Sequence, residues 1–409
     1  MNHAPIIDAS VTAGIPPAAD RPFRNRARPI GSWAFLGVVV TSLGGPLALG
    51  ALYAPSIVAD ASASAGLAAL VAAAVFGAPL LIWLQFSRHV ASSGGLYSFV
   101  EVAAGRGVAR LQGGLWIVSY LLYLLYTTAS IVYDTLPAVL PGVRAYQPVL
   151  EIAIPLALAG IMLAGRTVAL ATIGALAVGQ LVLLGALATV SVGHAAPVSS
   201  FQLGAPSGSL ATATGQTALL YVCGSLPLFL GGEVARPART VPRGLVAGFL
   251  LVAAAVVAAV FPLAANPAFA RAPIPGMSIA EQFAGHRLAV AIGVGVAASI
   301  GGVMLVEYLA LSRLLHAVTG RPVRSIVRGL AVALIAVAPL SLINPDRFYA
   351  ALLKPSLVAL WLSQLIVFAV YPRFAIRRGG RRLPTWTLAA LAMAFAGYGV
   401  WATLRHATT

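Results

Sequence analysis

Long apolar runs separated by short polar segments dominate the chain. A helix that crosses a bilayer needs roughly 20 mostly apolar residues. Eleven runs meet or approach that length: 33–58, 64–86, 110–138, 148–164, 168–192, 215–234, 243–265, 287–316, 325–343, 349–371 and 384–404. The third and eighth are longer than a bilayer requires, which predicts tilt or extension beyond it. The fourth is short, and only Gly165-Arg166-Thr167 divides it from the fifth, so the two also read as a hairpin. The expected class is an all-α integral membrane protein.

Two runs carry breakers near their middle. The first holds Gly44-Gly45-Pro46 and the sixth Cys223-Gly224-Ser225-Leu226-Pro227. Glycine weakens a helix and proline removes a backbone donor, yet proline suits the first turn of a new helix. The pattern predicts a half-helix, an unwound joint and a second half-helix in each case. Non-helical backbone at membrane depth persists only where protein or a wet cavity satisfies it. Breaks in the first and sixth runs stand five helices apart, so they fall in corresponding helices of two oppositely directed halves. That arrangement points to a transporter site between them. Free N–H groups at a half-helix start suit a carboxylate, and freed carbonyls suit an ammonium or another cation.

Charge distribution fixes the expected topology. With the N-terminus placed in the cytoplasm, 20 of the 26 Lys and Arg residues fall on the inner side. Arg144, Arg271, Arg287, Arg347, Lys354 and Arg405 fall on the outer side. An asymmetry of this size follows the positive-inside rule. The odd number of spans then puts the C-terminus outside, in a multi-pass protein of the inner (plasma) membrane.

Composition narrows the function classes. The chain is 60% hydrophobic and 9% charged, with mean hydropathy +0.93, too little charge for a soluble protein of 409 residues. The net charge of +16 is spread between apolar runs and not gathered on one polar face, which argues for lipid as partner and against nucleic acid. One cysteine excludes a disulfide framework, and no His-x-x-x-His or Cys-x-x-Cys spacing offers a metal centre. No phosphate-binding loop of the Gly-x-x-x-x-Gly-Lys-Ser/Thr type is present, and no cofactor is expected. The first 30 residues lack a compact apolar segment and read as a disordered cytoplasmic tail, not a signal peptide.

Three stretches resemble the amino acid–polyamine–organocation superfamily: SSGGLYSFVEVAAGRGVARLQGGLW (92–116), GGEVARPARTVPRG (231–244) and ALSRLLHAVTGRPV (310–323). The resemblance implies a LeuT-like fold of two inverted five-helix repeats (5+5), about 31–192 and 215–371. A basic loop and one extra C-terminal helix would occupy 372–409. It further implies alternating access around a site between helices 1, 3, 6 and 8. Carried over position by position, Gly44, Gly45, Pro46 and Leu47 fall on the unwound part of helix 1, and Cys223, Gly224, Ser225 and Leu226 on that of helix 6. Tyr120 and Thr128 fall on substrate-facing positions of helix 3. The chain departs from the family's common Gly-Ser-Gly-Ile by reading Gly-Gly-Pro-Leu. It also has Gln180 where many relatives carry a coupling lysine, and an amide carries neither charge nor proton.

Glu307 lies inside the eighth run, where a carboxylate costs roughly 2.5–3.5 kcal/mol on insertion scales. It must have a proton or a partner there. Four readings stay open: a proton carrier, a contact for a substrate amine, a structural pair with Arg313, or a carboxyl kept protonated throughout. Glu233 ends the sixth run beside Arg236 and Arg239, which suggests an inner latch. Glu101 is set to pair with Arg88 or Arg106, and Asp134 and Glu151 lie near the outer ends of their helices. The expected activity is secondary transport or exchange of amino acids or related amines, with H+ or Na+ open as the coupling ion. A membrane-embedded enzyme, or a transporter fold acting as a sensor, is the alternative.

Overall fold

The computed structural model describes residues 29–194, 200–258, 260 and 267–406. The tail expected over 1–30 lies, up to residue 28, outside the described residues. Among the described residues, eleven helices are long and apolar enough to cross a membrane: Ser32–Ala59, Ser62–Ser87, Arg106–Val139, Pro141–Ala164, Arg166–Val192, Ser207–Glu233, Pro237–Ala258, His286–Thr319, Val323–Leu342, Pro345–Arg377 and Arg382–Arg405. They are called spans 1–11. The chain is an all-α, multi-pass membrane protein.

The expected count holds, and the observed ends differ for a physical reason. Span 10 runs over 33 residues, well past the apolar stretch 349–371, because Asp346, Arg347 and Arg377 sit in its terminal turns where polar side chains reach water. Two shorter helices, Leu96–Ala104 and Pro275–Ala284, join spans 2 to 3 and 7 to 8.

These connectors reveal an internal repeat. Each leads through one glycine into a helix of 34 residues, span 3 in the first half and span 8 in the second. Gly105 has φ 89° and ψ 173°, and Gly285 has φ 88° and ψ 172°. That conformation is strained for any residue with a Cβ, and it recurs at the same place in both halves. Five spans per half reverse the direction of the second half relative to the first.

Burial sorts the spans into layers. In the most apolar windows of spans 1, 6 and 8, 78%, 72% and 72% of residues are buried, against 28% in spans 4 and 5 and 33% in spans 9 and 11. Spans 1, 6 and 8 therefore form the centre. Span 1 packs on spans 5, 6, 7 and 8, and span 3 packs along span 10. Span 11 lies against spans 10 and 2. Ser356 on span 10 donates to the Ser119 carbonyl of span 3 at 2.8 Å, and Tyr308 on span 8 donates to the Val327 carbonyl of span 9 at 2.7 Å. Buried polar ties of this kind fix helix register where apolar packing alone is permissive.

Candidate functional site

Span 1 breaks where the glycines predict. An α-helix covers Ser32–Ser42, Gly44 and Gly45 take φ of 91° and 71°, and helix resumes at Pro46. The resumed helix widens into π geometry over Leu49–Tyr53, a feature that recurs at functional sites. Gly45, Pro46 and Leu47 are buried, and Gly44 is half-buried.

Two side chains from other spans attend this joint. Ser299 Oγ on span 8 accepts from the Ala48 backbone N–H at 3.3 Å and donates to Gln180 Oε1 on span 5 at 2.7 Å. A Cβ on Gly45 would stand 2.2 Å from Ser299 Oγ and 2.8 Å from Gln180 Oε1. The close approach therefore requires glycine. Gln180 thus sits at the broken segment of span 1, and its Nε2 is buried with no hydrogen-bond partner among the described residues.

Span 6 departs from the expected form. Its α-helix ends at Leu219, and Val222–Glu233 continue as a 12-residue 3-10 helix through Pro227. The joint is tightened and not unwound. Tighter winding places proline without a helix break, and such a long 3-10 stretch marks a segment under strain or acting as a hinge. Gly224 packs on Leu43 of span 1 so closely that a Cβ would lie 2.6 Å from Leu43 Cδ2. Ser225 Oγ accepts from Gln364 Nε2 of span 10 at 3.2 Å. Cys223 and Leu226 are buried, and the Cys223 thiol lies beside the Tyr120 hydroxyl of span 3.

Span 3 contributes an aromatic stripe. Trp116, Tyr120, Tyr123 and Tyr126 recur at helical spacing on one face, with Trp116 stacked on Tyr120 at 3.8 Å between centroids. Phe229 of span 6 extends the stripe at one end and Tyr349 of span 10 at the other. Thr128 is buried too, but its hydroxyl donates to its own helix at the Leu124 carbonyl.

Glu307 is fully buried, and neither carboxyl oxygen has a hydrogen-bond partner among the described residues. It is near enough for a charge there to act on Tyr120, Tyr123, Tyr126 and Cys223. It does not pair with Arg313, whose Nε donates to Glu233 Oε1 at 3.0 Å. Thr41 Oγ1, Gln112, Trp116 Nε1 and Gln364 Oε1 are likewise buried without partners among the described residues. Trp83, Glu151, Thr217 and Tyr221 on spans 2, 4 and 6 are unpartnered as well, so such groups are spread through the bundle and are densest on span 3. Buried polar groups are otherwise almost always paired, and the subset that includes Glu307 and Gln180 marks a candidate polar site.

Glu233 closes one end, with different partners from those its neighbours in sequence suggest. Its carboxylate bridges Arg166 of span 5 at 3.1 Å and Arg313 of span 8 at 3.0 Å. The adjacent backbone adds a seam. Ile30 N–H donates to the Glu233 carbonyl and Ala235 N–H to the Ile30 carbonyl, both at 2.9 Å. The approach to span 1 is thereby stitched to the exit of span 6. Glu101 pairs with Arg106 at 3.1 Å, one of its two expected partners.

Ser299, Gln364, Arg166 and Arg313 were not singled out from the sequence. The signal for the first two is a polar residue within an apolar run; Arg166 read there only as topological charge, and Arg313 only as a possible partner of Glu307, not of Glu233.

No family model matches the chain, and no curated protein matches it in sequence. Among solved structures it is similar to the crystal structure of MhsT in complex with L-phenylalanine, with a TM-score of 0.62. The two share 16% sequence identity, and the match covers 91% of this chain and 98% of that one. At this identity the likeness shows the fold: a LeuT-like arrangement of two inverted five-helix repeats with an added eleventh span.

Proposed function

We propose that the chain is a secondary transporter of amino acids or related amines that works by alternating access. The carrying observation is the break in span 1 at Gly44-Gly45, attended by Gln180 and Ser299, in the same core as the unpartnered Glu307. In the first turn after the break Pro46 has no N–H, and those of Ala48 and Leu49 bond Ser299 Oγ and the Gly45 carbonyl, so the Leu47 N–H is what this turn offers a carboxylate. Glu307 and the tyrosine face of span 3 offer a counter-charge and π surfaces to an ammonium. The similar structure holds L-phenylalanine, a solute with both groups, which supports the reading.

In this cycle Gly44, Gly45, Pro46, Leu47, Tyr120, Thr128, Cys223, Gly224, Ser225 and Leu226 form the solute site. Glu307 exchanges a proton, and Gln180 holds the joint with a neutral amide. Glu233 latches the arginine-rich end, which faces the cytoplasm by the positive-inside rule and leaves the C-terminus outside. The 31–192 and 215–371 halves rock against each other, which the mirrored Gly105 and Gly285 connectors support.

The test is uptake in proteoliposomes of purified protein across a panel of labelled amino acids and polyamines. Accumulation or counterflow of at least one solute, competed by unlabelled solute, is the expected result. Inert vesicles across the whole panel would reject transport in favour of a sensor or an enzyme.

A further inference from the structure

Glu151 is a second fully buried acid, and the solute site does not use it. It lies one turn into the helix of span 4, and neither carboxyl oxygen has a hydrogen-bond partner among the described residues. Its chain neighbours Pro148, Val149 and Ile152 are exposed, so the helix turns this carboxyl inward while apolar side chains face out. Neutral oxygens gather beside it. Ser341, buried in the 3-10 turn that ends span 9, has its hydroxyl next to the carboxyl. Tyr133 of span 3 brings its phenol oxygen to 3.4 Å from that same hydroxyl. Gln147 stands four residues before Glu151, on the same helix face. Its Nε2 donates to the Val132 carbonyl at 3.3 Å, which anchors the amide beside span 3 and leaves its Oε1 available. Val132 and Tyr133 lie in the π-helical turn Ile131–Thr135, a geometry that recurs at functional sites.

A buried carboxylate without a counter-charge needs a cation or a proton. The oxygen spacing points to an ion. At 3.4 Å the Tyr133 and Ser341 oxygens are too far apart for a good O–H···O hydrogen bond, whose usual range is roughly 2.5–3.0 Å. Oxygens that share an ion at roughly 2.3–2.6 Å, at right angles, stand roughly 3.3–3.7 Å apart. We propose that Glu151, Ser341, Tyr133 and Gln147 bind one sodium-sized monovalent cation between spans 3, 4 and 9. The donor set is oxygen throughout, which suits a hard cation and not a transition metal. One carboxylate balances one positive charge, whereas a divalent ion would leave a second charge uncompensated in a buried place. An ion here ties the end of span 3 beyond the tyrosine face to spans 4 and 9. None of these four side chains belongs to the solute site, so the ion site stands whatever the protein transports.

Thermal unfolding of the purified full-length protein in sodium or choline chloride, at constant ionic strength, tests this. The expected result is a saturable rise in melting temperature with sodium that is absent with choline. Glu151→Gln keeps the shape of the acid without its charge and should lose the sodium response. Tyr133→Phe deletes one hydroxyl at a half-buried position and should raise the half-saturating sodium concentration about ten-fold. Glu281→Gln, an exposed acid in the connector before span 8, is the control and should respond as the native protein does. Glu307→Gln should respond too, which separates this ion from one in the solute site. No sodium response in the native protein would overturn the proposal. So would an unchanged response in Glu151→Gln, or in Tyr133→Phe if the first variant does not fold. A melting temperature that follows pH but not sodium, with that dependence lost in Glu151→Gln, would put a proton in place of the ion and also overturn it.

Discussion

The Ser299 hydroxyl donates to the Gln180 amide oxygen across 2.7 Å, joining span 8 to span 5 at the point where span 1 loses its helix. The same hydroxyl accepts from Ala48 N–H, so one short relay holds the resumed half of span 1. Gln180→Ala removes the acceptor and leaves the relay incomplete in a buried place. Losing a buried partner costs about 1–3 kcal/mol, so solute affinity should fall roughly ten-fold or more. Labelled-solute binding checks this, and Gln180→Glu should not rescue it, because a carboxylate would add a buried charge. Wild-type affinity in the alanine variant would detach Gln180 from the joint.

Gly45→Ala should be poorly tolerated. Its methyl group would meet Ser299 Oγ at 2.2 Å, on backbone whose φ of +71° is already unfavourable for a side chain. The expected result is a lower melting temperature, and less monodisperse protein, by fluorescence-detected gel filtration. Gly301→Ala in span 8 is the control, since its Cβ meets open space. Equal behaviour of the two variants would mean that the joint relaxes freely.

How much of this was legible in the sequence depends on the range of the interaction. The spans and the Gly44-Gly45-Pro46 break are local, and hydropathy and backbone sterics state them directly. At span 6 the Gly224 and Pro227 signals mark where an α-helix is penalised. They do not say that packing against Leu43 and Gln364 selects a 3-10 helix as the alternative. Glu233 was read with Arg236 and Arg239 because they follow it in sequence. Its partners come from 67 and 80 residues away, brought together only by the two halves folding onto each other. Arg236 adopts φ 51° where the chain turns away after span 6, a local turn that charge spacing does not encode.

The Glu233 bridge gives a third prediction, read through the chain's single cysteine. Glu233→Gln leaves Arg166 and Arg313 facing each other without their shared counter-charge. The bridge is part-buried, so breaking it costs less than the roughly 3–5 kcal/mol of a fully buried pair but still favours an arrangement open at that end. Cys223 is 6% exposed at the span 6 joint, so a thiol reagent reaches it only when the bundle parts. Alkylation should be slow in the native protein, at least ten-fold faster in Glu233→Gln, and slowed again by transported solute. Identical labelling rates would show that this bridge does not hold the end closed.

Glu307 carries the last prediction. Its carboxyl lies fully buried, with no basic side chain among the described residues bonded to it, while the nearest candidate in sequence, Arg313, is committed to Glu233. A carboxylate in such a place is stable only with a proton or a cationic guest. In a proton-linked cycle it alternates between the two, releasing the proton as the ammonium arrives and regaining it after the ammonium leaves. Glu307→Gln keeps the shape and the hydrogen-bonding capacity of the protonated acid but cannot release a proton. Uptake driven by a pH gradient should therefore disappear, while solute-for-solute exchange, which needs no return of the empty carrier, persists at a reduced affinity for the amine. Proteoliposomes with an imposed pH step, run alongside counterflow at equal pH, separate the two activities. Undiminished gradient-driven uptake in Glu307→Gln would remove the proton from this carboxyl, and loss of both activities together would make it a solute contact alone.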